Sequence, residues 1–124
     1  HPEAGYIEER QTRIWRNLVF DFDKSDLLPQ SYPVIDSLVD DMLFNPEINV
    51  TISGHTDNSG NAAYNLNLST QRARSVGVYM MEKGINQSRI KWQGMGDKQP
   101  LADNSTELGR ATNRRVEFEF YTNP

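Results

Sequence analysis

The densest group of chemically able side chains in this 124-residue sequence is the run GHTDNSG, Gly54 to Gly60, which sets an imidazole and a carboxylate among hydroxyls and glycines. His55 and Asp57 are metal-ligand types, but a metal site needs three or more ligands and the other histidine of the chain is His1. Ser53, Ser59 or Ser69 would be a nucleophile with His55 as base. No G-x-S-x-G turn is present, however, and Ser53 and His55 on one strand lie too far apart for proton transfer without a special bend. Asp21, Asp23 and Asp57 supply carboxylates of the kind that cleave glycosides, with nothing in their spacing that requires it. Enzyme readings are therefore the weakest. The expectation is a non-enzymatic domain without metal or cofactor, with His55 packed or hydrogen-bonded at a strand end.

A different chemistry opens if the segment after this run returns beneath it. Arg72, in the stretch beginning LSTQR, would then present its guanidinium beside Asp57. One acid and one arginine at that separation can simply pair with each other. They can equally hold a ligand carrying both an ammonium and a carboxylate, because aspartate accepts from the first and arginine grips the second with two parallel bonds.

The elements that must position these residues follow from periodicity. Ile14, Leu18, Phe20 and Phe22 read as a strand, preceded by a short extension. Ile35, Leu38, Val39 and Met42 repeat at helical spacing, with Pro29 and Pro33 near the start and Asn45-Pro46 at the close. Ile48, Val50 and Ile52 alternate with polar neighbours as a second strand that ends at Gly54, where the chemistry-bearing loop begins. A second helix runs through Ala73, Val76 and Met80 to Gly84, with Ser69 as candidate N-cap and Lys83 in the last turn. Ile90 and Trp92 open a third strand that ends in GMGD. The polar connection from Lys98 to Thr112 has room for one helical turn at Thr106 to Arg110. Val116, Phe118 and Phe120 form the last and cleanest strand.

Each strand carries one apolar face, which disfavours a sheet covered on both sides. The order predicts an α+β fold: a two-layer βαβαββ domain with both helices on one face of a mixed four-stranded sheet.

The chain is 36% hydrophobic, 24% charged and free of cysteine, an ordinary globular composition without a disulfide framework or thiolate metal site. Its net charge of -4 argues against gripping nucleic-acid phosphates. The charge is divided: residues 1–62 hold four basic and eleven acidic side chains, whereas residues 63–124 hold nine basic and six acidic, six of them arginines among the basic set. No apolar run reaches the ~18 residues of a membrane span. Any anchoring or targeting segment is expected outside these residues.

The run from Gly54 to Ile85 closely resembles the signature of OmpA-like peptidoglycan-binding domains, found in OmpA, in the Pal lipoprotein and in the stator protein MotB. The family pattern is GHTD-x-x-G, then YN-x-x-LS-x-x-RA, then a helix ending in GI, and every named position matches. RIKWQGMGDKQPLADNSTELGRATNRRVEF, from Arg89, is similar to the family's R-I, G-x-G and G-R-x-x-N-R-R-V-E segments, and VFDFDKSDL to its first strand. The resemblance covers about Asn17 to Tyr121, with residues 14–124 as the domain and 1–13 as an extension.

The resemblance implies that Asp57 and Arg72 bind the ammonium and carboxylate of meso-diaminopimelate in a peptidoglycan stem peptide. By the same route Asn65 and Arg114 line that pocket, Asp23 makes a polar contact after the first strand, and Ser59 adds a hydroxyl or amide contact. Arg110 and Arg115 match family arginines, with Arg115 expected on a strand face as a surface or sheet contact. Tyr64, Leu68, Ala73 and Val76 are expected to pack. The implied function is a periplasmic tether between the outer membrane, or a membrane protein, and the cell wall of a Gram-negative bacterium. The alternative is an adaptor of the Pal type whose acidic first half docks a periplasmic protein partner.

Overall fold

The computed structural model of the chain describes the backbone of residues 11–15, and residues 27 and 29–122 with their side chains. Its elements are β1 (Gln11–Trp15), α1 (Tyr32–Phe44), β2 (Ile48–His55), α2 (Ala62–Glu82), β3 (Ile90–Gly96), α3 (Glu107–Asn113) and β4 (Arg115–Thr122). The four strands form one sheet in the order β1-β4-β2-β3. β2 and β3 run parallel on either side of the α2 crossover, whereas β4 is antiparallel to both β1 and β2, so the sheet is mixed as expected.

One face of the sheet is apolar. Val50 and Ile52 of β2 pair in register with Phe120 and Phe118 of β4, and all are buried against Ile35, Leu38 and Met42 of α1 and Ala73, Val76 and Met80 of α2. The alternating neighbours Thr51, Ser53, Glu117 and Glu119 line the opposite, wetter face. Period-two alternation and a single covered face are the same fact seen in sequence and in space. Among the described residues no helix is long and apolar enough to cross a membrane.

α1 follows its predicted stripe, with Pro33 in the first turn, where a missing N–H costs no helical hydrogen bond. Its carboxy end is closed from a distance: the Arg89 guanidinium donates to the carbonyls of Met42 (2.8 Å), Asn45 (2.9 Å) and Ile48 (2.6 and 2.9 Å). The bond to Met42 satisfies an acceptor that the helix end leaves orphaned, and the others tie that end to the start of β2.

Three boundaries depart from the sequence reading. β1 begins at Gln11, so residues 11–13 pair within the sheet, while Leu18, Phe20 and Phe22 of the expected strand lie outside the described residues. α2 starts at Ala62 and spans 21 residues, capped by Asn61, whose side chain accepts from the Tyr64 amide at 2.7 Å. Ser69 is therefore no cap. It is fully buried in mid-helix, donating to the Leu66 carbonyl and accepting from the Gly96 amide at 2.9 Å. The first turns escaped the periodicity because their buried positions, Asn65 and Ser69, are polar. Finally, α3 runs to Asn113, two turns in place of one, with Thr106 accepting from the Gly109 amide as its cap.

Two glycines bring α2 down onto the sheet. A methyl group on Gly54 would collide with the Ser69 carbonyl, and one on Gly94 with Thr70. Only bare backbone permits this approach, which sets the first half of α2 beside the loop that leaves β2.

Candidate ligand-binding cleft

That loop, the first half of α2 and the α3–β4 junction enclose a cleft of about 630 Å³. The register of β2 against β3 slips after Gly54, so His55 faces Gly96 and the Thr56 amide donates to the Gly96 carbonyl at 2.9 Å. Such an irregularity re-aims the chain at a sheet end. Here it turns Thr56 and Asp57 toward the cleft. The chain then reverses at Gly60, whose φ of +80° suits glycine, and enters α2 through the Asn61 cap.

Asp57 is 8% exposed. Its Oδ1 accepts from the Ser59 amide at 2.8 Å and its Oδ2 from Arg114 Nη1 at 2.6 Å. Burial alone would raise its pKa, but the Ser59 amide and the Arg114 guanidinium together outweigh burial and hold it below the usual carboxylate value. The group is thus a carboxylate at neutral pH.

Arg114 closes α3, and its second nitrogen donates to Glu107 Oε2 at 2.7 Å. Glu107 Oε1 accepts from Arg110 Nε at 3.1 Å, and Arg110 Nη1 donates to the Asn104 carbonyl at 2.9 Å. The hydrogen bonds to Glu107 and Asp57 push the Arg114 pKa up, so its charge is fixed. From the other wall, Tyr64, Asn65, Leu68 and Arg72 reach the cleft from one face of α2, at the spacing at which helical side chains are neighbours.

Among the described residues, two buried polar atoms at this site find no hydrogen-bond partner, Thr56 Oγ1 and Asn65 Nδ2. Buried donors and acceptors are ordinarily satisfied, so both are suited to a polar ligand that enters the cleft.

Asp57, Ser59, Asn65, Arg72 and Arg114, separated along the chain, thus line one cleft. Asp23 lies outside the described residues. The Asp57 carboxylate is bonded to Arg114 and Ser59, and Arg72 lines the same cleft from α2. Sequence reasoning missed Thr56 and Glu107. For Glu107 a signal existed, since it precedes Arg110 by three residues and Arg114 by seven, both same-face spacings on a helix.

The cleft is braced from behind. Fully buried Asn113 accepts from the amides of Leu101 (2.7 Å) and Ala102 (3.0 Å) and donates to the Ala102 carbonyl (3.0 Å) and Asn104 Oδ1 (2.8 Å), pinning the polar connection. Of the surface or sheet contact expected of Arg115, the structure shows the second, on the outer face of β4 and out of solvent. Arg115 is 4% exposed, bonded to Glu117 Oε2 at 2.7 Å and to the Gln99 carbonyl at 2.9 Å, because the polar connection folds over the outer face of β4 at this end. His55 pairs in register with Arg115 and lies 3.6 Å from Glu117. Burial first, and then the Arg115 charge, lower its pKa to about 4, against a smaller opposing pull from Glu117. It is a packed, neutral histidine.

Residues 19–114 match the family model described as OmpA family. The chain belongs to the OmpA family. This OmpA-family domain is 47% identical over 105 residues to outer membrane porin F of Pseudomonas fluorescens, covering 85% of this chain and 32% of that protein. It is 39% identical over 121 residues to the peptidoglycan-binding protein ArfA of Mycobacterium tuberculosis, covering 94% of this chain and 37% of that one. Among solved structures it superposes on the peptidoglycan-associated lipoprotein of Burkholderia pseudomallei with a TM-score of 0.78 at 26% identity, over 88% of this chain and 90% of that one. The OmpA-family domain thus spans about a third of the length of these curated relatives.

Proposed function

We propose that this domain binds peptidoglycan non-covalently, through the meso-diaminopimelate of a stem peptide, and so tethers an outer-membrane or other membrane-anchored protein to the cell wall from the periplasm. The observation that carries the reading is one cleft in which a buried, ionised Asp57 faces Arg72 and Arg114. The side-chain end of diaminopimelate is a zwitterion. Its ammonium suits Asp57 and its carboxylate suits a guanidinium fork, while Ser59, Thr56 and Asn65 offer further polar contacts. Further support comes from relatives whose names specify peptidoglycan binding or association.

Charge-assisted hydrogen bonds of this kind contribute about 1.5 to 3 kcal/mol each, enough for reversible capture of one stem peptide. Many anchored copies facing an extended polymer then hold it through multivalency. The test is co-sedimentation with purified sacculi of diaminopimelate type and of lysine type, with Asp57→Ala and Arg72→Ala alongside. Lysine lacks the second carboxylate. The reading requires the unaltered domain to pellet with diaminopimelate sacculi alone and both variants to stay in solution. A domain that stays soluble with both sacculi sinks it.

A further inference from the structure

The charged groups of the cleft are not evenly matched. Arg114 divides its guanidinium between two acids, Nη1 to Asp57 at 2.6 Å and Nη2 to Glu107 at 2.7 Å, and the other oxygen of Glu107 takes Arg110 at 3.1 Å. Asp57 is nearly buried and also tied to the Ser59 amide, whereas the Glu107 side chain is 67% exposed. Of the two acids on Arg114, Glu107 is the one that can leave at small cost: it stands at the start of α3 with most of its side chain in solvent. Its carboxylate occupies two of the three guanidinium groups that line the cleft, which an incoming carboxylate would otherwise meet open beside Arg72.

We propose that Glu107 is a specificity-determining residue of this cleft, an internal carboxylate on Arg110 and Arg114 that a ligand must displace and that disfavours ligands bearing a carboxylate without an ammonium. The inference rests on the zwitterion reading above and adds the means of discrimination to it. An anion that replaces Glu107 exchanges one carboxylate for another on the same arginines and gains little. A zwitterion makes the same exchange and adds an ammonium beside Asp57 and the displaced Glu107, so it alone gains overall. Among the described lining residues the charged groups are Asp57, Glu107, Arg72, Arg110 and Arg114. Neutralising Glu107 therefore leaves the cleft more cationic and more open to plain anions. Exposed ion pairs are weak, which sets the size of the effect at about two- to fivefold.

The experiment compares the unaltered domain with Glu107→Gln by NMR titration, after thermal unfolding has shown both to be folded. The ligands are a stem tripeptide ending in meso-diaminopimelate, the same peptide acetylated on its side-chain amine, and inorganic phosphate. Glu107→Gln should bind the acetylated peptide and phosphate about two- to fivefold more tightly, with shifts at Arg110 and Arg114, and should lose part of the preference for the unmodified peptide. Unchanged or weaker anion binding in Glu107→Gln overturns the proposal. If neither protein binds the unmodified peptide, the diaminopimelate reading fails, and the phosphate comparison still decides whether Glu107 occupies the arginines.

Discussion

Asp57 and Arg114, 57 residues apart in the chain, meet at 2.6 Å across the cleft, and the same Asp57 carboxylate holds the Ser59 amide at 2.8 Å. The acid is thereby fixed in place and kept ionised before any ligand arrives. Asp57→Asn preserves the shape and one acceptor while removing the charge, so binding of a diaminopimelate tripeptide should weaken at least about tenfold with the fold intact. Calorimetric titration measures it, and equal affinity for the two proteins would remove Asp57 from the site.

Arg72 supplies the complementary test, because lysine retains the charge and loses the planar fork. Arg72→Lys should bind the tripeptide about five- to tenfold more weakly, between the unaltered domain and Arg72→Ala. Affinity indistinguishable from that of the unaltered domain would mean that Arg72 acts only as a diffuse charge.

His55 predicts a pH dependence of stability. Its folded pKa of about 4 lies below the ordinary 6.5, so between those values the unfolded chain takes up a proton that the folded domain refuses. Stability from this group is complete above about pH 7 and is lost as pH falls toward 4, by an amount on the order of 2 kcal/mol. Urea unfolding midpoints at pH 7 and 4.5 should separate accordingly, with a smaller separation in His55→Gln. The same separation in that variant would assign the slope to other groups.

Arg89 should matter for stability and not for binding. It serves the carbonyls of Met42, Asn45 and Ile48, on the side of the fold where α1 ends. Arg89→Ala removes the guanidinium bonds to all three carbonyls, of which that of Asn45 keeps the Ile48 amide, and should cost about 2 to 4 kcal/mol. Chemical denaturation gives the loss. Tripeptide affinity, measured well below the unfolding transition, should stay within about twofold.

Much of this domain is written in local pattern. Ile35 to Met42, Ile48 to Ile52 and Val116 to Phe120 form the elements that their periodicity predicts, because one buried face imposes a repeat of 3.6 or 2 on any chain that must cover it. The pattern fails where buried positions are polar. Asn65 and Ser69 continue the inner stripe of α2 without looking apolar, which hid that helix's first two turns. Arg115 stands on the outer strand face where alternation puts it and is nevertheless buried, because a connection with no periodicity of its own folds over it.

By itself, then, the sequence determined the strand and helix order, the family, and the residue types available to the cleft, since these depend on near neighbours and on motif. The tertiary structure decided which groups meet. That Asp57 takes Arg114, and that Arg72 reaches the same cleft from α2, depends on the close approach of α2 at Gly54 and Gly94 and on the connection that Asn113 pins. These are packing distances between segments far apart in the chain, and no local spacing encodes them.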